Sequence, residues 1–160
     1  MKTLLIAIFG VAACAQTIDF NLDAVAAKAK EKAEITLEGP LLNLALQSAS
    51  EKTKTAAANL SRLIVRHYEF DKPGQYSDAE LDNIRKQVST WSRILNVQDS
   101  DESTQIYMLV QNGKPAAFLL ISSKPKELTV VHAAGSIDLA SLKEVVNSTI
   151  HYDLKSVEGQ

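Results

Sequence analysis

The chain has 160 residues, of which 46% are hydrophobic and 22% are charged, and its formal net charge at pH 7 is -2. These values are typical of one soluble globular domain, and they exclude a collagen-like chain, a disordered chain and a disulfide-stapled miniprotein. The slight excess of acidic residues argues against a nucleic-acid binder, which needs cations to displace phosphate counterions.

The N-terminal residues 1–15 predict a secretory signal peptide. Lys2 supplies a positive charge, residues 4–13 form an apolar run, and the small residues Cys14 and Ala15 follow. The run is too short to span a bilayer, which takes about 20 apolar residues. Two cleavage sites overlap here, so the mature chain begins either at Gln16 or at a lipidated Cys14 within a lipobox-like sequence. We favour lipidation because Cys14 is the only cysteine and lies where a lipobox requires one.

The first predicted elements after this segment are helical. Apolar residues recur at helical spacing between Leu22 and Ala29, and the pair Gly39–Pro40 is expected to end this helix. Pro40 can occupy the first turn of a second helix, which the leucine-rich stretch 41–46 continues. The pattern then changes over residues 63–70, where β-branched and aromatic residues predict a strand.

The second half of the chain contains clearer local signals. Ser77 and Glu80 have the spacing of a capping box, so a helix is expected to begin there and to present an apolar stripe as far as Trp91. Asn112–Gly113 favours a tight hairpin turn, because both residues tolerate a positive φ. Four further strands are predicted over residues 93–99, 105–111, 116–122 and 128–131, and a last helix extends from 139 to 150.

This order of elements predicts the α+β class. We expect a two-layer sandwich in which a mostly antiparallel sheet of about five strands carries helices on one face. No repeat, low-complexity tract or Pro/Gly-rich linker divides residues 20–155, so we expect residues 16–160 to form a single domain.

Few residue patterns in the chain are typical of catalysis. The sequence contains no P-loop, no GxGxxG, no EF-hand loop and no glycine-framed serine. His67 and Glu69 share one face of a strand and could hold a metal or orient an imidazole, although a zinc site needs three or four ligands. His132 lies in an apolar strand and is expected to be a hydrogen-bonded core or edge residue. We therefore expect no enzyme activity and no cofactor, and keep a metal or enzymatic site at His67 and Glu69 as an alternative.

One group of side chains is a candidate binding site. Arg66 and Tyr68 share a strand face, whereas Trp91 and Arg93 begin the next strand after the capped helix. Arginine, tyrosine and tryptophan dominate binding hot spots, because they combine apolar area with hydrogen-bonding groups. The alternative is that Tyr68 and Trp91 simply belong to the core that joins strand and helix.

Six segments of the chain resemble segments that occur in the same order in a known family. They are residues 65–71, 75–78, 84–85, 91–94, 125–131 and 135–139. They are similar to the exported bacterial family catalogued as domain of unknown function 4252. The resemblance covers about residues 20–145 and implies a protein of the bacterial envelope, while the regulatory sigma-factor genes beside some relatives imply a stress or regulatory context. It implies no active site.

We therefore expect an exported, non-enzymatic module of the periplasm or cell envelope that binds another envelope component. It would meet a membrane only through the lipid on Cys14, and it would not bind nucleic acid. A small-ligand carrier is the alternative, and a large apolar cavity would distinguish a carrier from a protein-binding surface. The sequence predicts neither the identity of the partner nor the oligomeric state.

Overall fold

A single antiparallel sheet forms the centre of the fold in the computed structural model, which describes residues 18–149. Its strands are β1 (Glu31–Glu38), β2 (Leu60–Glu69), β3 (Ser92–Gln98), β4 (Ser103–Gln111), β5 (Lys114–Lys124) and β6 (Glu127–Gly135). Their order across the sheet is β1-β2-β6-β5-β4-β3, and every neighbouring pair is antiparallel. The predicted α+β class and antiparallel sheet are confirmed.

Five α-helices accompany the sheet within the described residues. They are α1 (Asp23–Ala26), α2 (Gly39–Gln47), α3 (Glu51–Ala56), α4 (Asp82–Gln87) and α5 (Leu139–Thr149). A short 3₁₀ turn, Asp78–Leu81, leads directly into α4. No helix within residues 18–149 is long and apolar enough to cross a membrane.

Strand β1 forms where the sequence predicted part of the first helix. It raises the number of strands in the sheet to six, one more than the five or so predicted. Its half-buried residues Ala33, Ile35 and Leu37 alternate with exposed ones, which is the period of a strand. Lysine, glutamate and alanine in this segment favour a helix, but the strand is more stable here. Pairing with β2 satisfies the backbone hydrogen bonds of the segment and half-buries one of its faces. The first helix is therefore reduced to α1.

The helices cover both faces of the sheet, which differs from the expected placement on one face. Tyr68, Leu119 and Val130 pack in an apolar cluster with α1 and α4, on the side that we call the first face. Val65, Phe118 and Val131 point to the opposite side and pack with α2, α3 and α5, on the second face. The physical reason is that β6 is buried along seven of its nine residues, so both of its faces need cover.

The local signals of the sequence have their predicted structures. The backbone N–H of Ser77 donates to Glu80 Oε2 over 2.7 Å, which completes one half of the capping box. Asn112 and Gly113 have φ values of 52° and 74° in the turn between β4 and β5. Pro40 lies in the first turn of α2. These predictions are confirmed, because each depends only on residues close in sequence.

The predicted signal peptide with Cys14 lies outside the described residues, as does the end of the last predicted helix at Ile150. Within the described range, the backbone N–H of Ser141 donates to Asp138 Oδ1 over 2.7 Å and caps the start of α5. Helix α5 then packs on the second face, with Leu142, Val145 and Val146 in its apolar cluster.

Candidate functional site

The structure separates the four residues of the predicted binding site. Tyr68 and Trp91 are 1% and 6% exposed and belong to the apolar cluster of the first face. Arg66 lies in β2, whereas the exposed Arg93 lies in β3 at the far edge of the sheet. Four strand spacings of about 4.8 Å separate these two strands, or about 19 Å. The core alternative therefore describes Tyr68 and Trp91, and the two arginines lie too far apart to belong to one compact site.

Arg66 and Tyr68 fasten the edge strand β1 to its neighbour. Arg66 Nη1 donates to the backbone oxygens of Ile35 and Val65, both over 3.0 Å. The Tyr68 hydroxyl donates to Glu34 Oε1 over 2.8 Å. Burial, together with this hydrogen bond to Glu34, raises the pKa of Tyr68 above its ordinary value. Both side chains thus have structural partners within the sheet.

His67 and Glu69 do lie together on the second face, as their spacing predicted. His67 Nε2 is 3.5 Å from Glu69 Oε1, and its Nδ1 is 2.9 Å from the hydroxyl of Thr129. Glu69 stands directly opposite Glu31 on one neighbouring strand and Glu127 on the other. In residues 18–149, no three or more His, Cys, Asp or Glu residues are arranged to hold a metal ion. The described part of the chain supplies no ligand set for the metal alternative.

His132 is buried in the first face without the hydrogen bonds that its sequence position led us to expect. Its side chain lies close to the rings of Phe20 and Trp91, with centroid distances of 5.9 and 6.1 Å. Neither ring nitrogen has a hydrogen-bond partner among the described residues. Burial, and to a smaller extent the charge of Arg62, lowers the pKa of His132 to about 4. At neutral pH this histidine is an uncharged core residue.

An apolar groove on the second face is the candidate site that the sequence did not reveal. It lies between α2, α3 and α5, over strands β1 and β2, and its volume is about 560 Å³. Ligand pockets typically occupy about 300–1,000 Å³ and are lined mainly by apolar side chains. The apolar lining consists of Leu37, Leu42, Ala45, Leu46, Ala49, Leu63 and Val145.

Polar side chains at one end of the groove are connected by hydrogen bonds and an ion pair. The hydroxyls of Ser50 and Thr53 lie 2.9 Å apart, and Thr53 Oγ1 donates to Glu144 Oε1 over 3.3 Å. Lys52 Nζ is 2.6 Å from Glu144 Oε2. The hydrogen bond from Lys52 holds the pKa of the Glu144 carboxyl below its usual value. Glu144 therefore remains an ionised, paired carboxylate at neutral pH.

Helix α2 carries an excess of leucines, but its most exposed leucines do not line the groove. Its residues 41–46 contain four leucines, which is more than a single buried stripe of this length needs. Leu42 is buried, whereas Leu41 and Leu44 are 60% and 62% exposed. Apolar side chains therefore cover both the core side of α2 and part of its outer surface. This excess therefore marks an exposed apolar surface on α2, and the sequence carries no direct signal of the groove itself.

Comparison with known proteins agrees with the resemblance seen in the sequence. No curated protein and no solved structure matches the chain. A family model described as "Domain of unknown function (DUF4252)" matches residues 27–145, which is 119 of the chain's 160 residues. The matched segment begins just after α1 and ends within α5, so it includes the whole sheet. The chain therefore belongs to the DUF4252 family.

Proposed function

We propose that the protein is an exported, non-enzymatic module that binds the apolar part of another envelope component in the groove between α2, α3 and α5. The observation that carries this proposal is a groove of about 560 Å³ with a mainly leucine and alanine lining. An apolar cavity of this size favours the small-ligand alternative over a flat protein-binding surface. The proposal moves the binding site from Arg66, Tyr68, Trp91 and Arg93 to the second face.

The chemistry of the groove supports binding rather than catalysis. Among the described residues that line it, Glu144 is the only ionisable one. A general acid or base works best with a pKa near the operating pH, but pairing with Lys52 shifts the pKa of Glu144 away from neutrality. The groove therefore has apolar area to offer a ligand, and no side chain suited to proton transfer at neutral pH.

Crosslinking from inside the groove tests the proposal. A photoreactive amino acid replaces Ala45, which lines the groove, or Gln47, which does not, in the full chain expressed in a bacterial host. Helical positions 45 and 47 point about 160° apart, so Gln47 is a control on the same helix. We expect light-dependent adducts with an apolar envelope component from position 45 alone. Equal products from both positions, or none from position 45, would refute the groove as the binding site.

Export and anchoring form the second part of the proposal, and they rest on residues 1–15 and on Cys14. Labelled palmitate supplied to bacteria that express the wild type or Cys14→Ser measures the anchor directly. We expect label in the wild type only, and the protein in the envelope fraction of the cell. A wild-type chain that takes up no label and begins at Gln16 would show that the lipid anchor is wrong.

A further inference from the structure

We propose that the edge strand β3 pairs with β3 of a second copy of the chain, so that two six-stranded sheets join into one antiparallel sheet. The proposal is independent of the groove, which lies over β1 and β2 toward the other edge of the sheet. Three features of β3 carry it, which are its outward backbone groups, its exposed apolar surface and the charges at its two ends.

The backbone of β3 has hydrogen-bonding groups that β4 does not use. Six of the seven residues in β3 are exposed, and β4 is its only strand partner within residues 18–149. The Asp99 N–H donates to the Glu102 carbonyl over 2.9 Å, on the side of β4. Because successive residues of an antiparallel strand bond to opposite sides, Val97 also bonds to β4, whereas the backbone groups of Asn96 and Gln98 point away from it.

The other edge strand, β1, is protected against the addition of a strand, whereas β3 is not. Four of the eight residues in β1 are charged, which discourages pairing with a further strand. In β3 only Arg93 is charged, and the strand contains no proline. Its bulge lies between Arg93 and Leu95, so residues 95–98 keep a regular ladder and an edge that can accept another strand.

An identical strand fits this edge in the antiparallel direction. With a two-fold axis at Asn96, the outward N–H and carbonyl of this residue pair with those of Asn96 in the second copy. The same register places Val97, which is 54% exposed, beside Leu95 of the second copy. Both side chains lie on the second face, because Leu95 packs against its apolar cluster and Val97 follows two residues later. Pairing thus gives an exposed valine of each copy an apolar neighbour.

The charges at the two ends of β3 favour this direction and this partner. Arg93 lies at the beginning of the strand, whereas Asp99, Asp101 and Glu102 lie in the turn that follows it. All four residues are exposed, and none forms an ion pair within residues 18–149. Arg93 and Asp99 are each three residues from Asn96, so the two-fold axis brings the cationic end of one strand to the anionic end of the other. A parallel arrangement would instead place like charges together.

The symmetry of this pairing also suits two copies attached to one membrane. A two-fold axis that relates antiparallel strands of one sheet is perpendicular to the sheet, so the first faces of both copies lie on the same side. Ile18, the first described residue, is buried in the first-face cluster of each copy. The lipids that we propose on Cys14 would therefore approach one bilayer from both copies, and sharing a membrane raises their effective concentration.

Photocrosslinking in a bacterial host identifies the partner of β3. A photoreactive amino acid replaces Val97 in the full chain, and the control is the same replacement at Lys32, which is exposed on the opposite edge strand. We expect a light-dependent adduct of twice the chain's mass from position 97 and none from position 32. An adduct of position 97 with a different protein alone, equal doubled adducts from both positions, or no adduct overturns the second copy as the partner.

Sedimentation of the purified full chain measures the strength of the pairing. Val97→Lys puts a charge into the apolar pair, and Asn96→Pro removes an outward N–H without removing a bond to β4. Leu44→Lys is the control, because Leu44 is 62% exposed on α2, away from β3. We expect concentration-dependent dimers of the wild type and of Leu44→Lys, and association at least tenfold weaker in both β3 variants. Melting curves identify a variant that has lost its fold, in which case the other β3 variant decides. A monomeric wild type, or folded β3 variants that associate like the wild type, overturns the proposal.

Discussion

Replacing His132 with leucine should change how the stability of the protein depends on pH. His132 is 1% exposed, and burial lowers its pKa to about 4 from an ordinary value of 6.5. Leucine has a similar size and cannot take up a proton. At pH 7 the replacement removes two ring nitrogens that lack hydrogen-bond partners among the described residues, so we expect a gain of about 1–3 kcal/mol in unfolding free energy.

The direction of the pH effect follows from the two pKa values. As the pH falls below about 6.5, His132 in the unfolded chain takes up a proton, whereas the folded protein resists protonation down to about pH 4. The unfolded state then binds more protons, so the wild type loses stability across this window. Each pKa unit corresponds to about 1.4 kcal/mol, and the full shift amounts to about 3 kcal/mol relative to His132→Leu.

Urea unfolding of both proteins at pH 7, 6, 5 and 4 measures this difference. Circular dichroism is the suitable signal, because the ring of the single tryptophan, Trp91, lies 6.1 Å from His132 and reports locally on its charge. Carboxylates with lowered pKa values, such as Asp78 and Glu80, also lose stabilising charge in acid, but both proteins share them. We expect the stability difference to widen from pH 7 to pH 4. Parallel profiles would refute the assignment of His132 as a buried neutral residue.

Three further substitutions test the packing and the turns. Trp91→Ala should lower the unfolding free energy by about 3–5 kcal/mol, because it leaves a cavity in the first-face cluster, and a loss under about 1 kcal/mol in urea unfolding would contradict its core role. Gly113→Val should cost about 1–3 kcal/mol by the same measurement, because valine is strained at φ 74°, and an unchanged stability would argue against the turn. Gly135→Ala should be worse than Gly113→Val, because φ is 139° and a Cβ would collide with the Asn59 carbonyl and lie 2.8 Å from Leu60 Cα. A Gly135→Ala melting temperature equal to that of the wild type would contradict this close approach.

The parts of the fold that sequence reasoning predicted correctly depend on short-range signals. The capping box at Ser77 and the Asn112–Gly113 turn involve residues within three positions of each other, so their chemistry is visible without the tertiary structure. Strand β1 was missed because its alternation at Ala33, Ile35 and Leu37 is embedded in lysine and glutamate, which favour helices. Only pairing with β2 makes the strand the better choice.

The candidate site was harder to predict, because it is formed by residues far apart in the chain. Leu42 and Val145 line the same groove although about a hundred positions separate them, and no local pattern encodes the gap between their helices. Arg66 and Tyr68 do share one face of β2, but their side chains form hydrogen bonds to the edge strand β1. Arginine and tyrosine are common both in binding hot spots and in side-chain hydrogen bonds that hold an edge strand to its sheet. Only the contacts in the structure distinguish these two roles.

The two faces of the sheet also determine how an attached protein would be oriented. Ile18, the first described residue, is buried in the first-face cluster, whereas the groove lies on the second face. Ile18 is four residue steps from Cys14, which span at most about 14 Å, so a lipid on Cys14 would hold the bilayer close to the first face. The thickness of the sheet would then lie between that bilayer and the groove. A protein anchored in this way would receive its ligand from the aqueous side, and the same geometry keeps the groove accessible when the chain is immobilised through its N-terminus on a sensor surface.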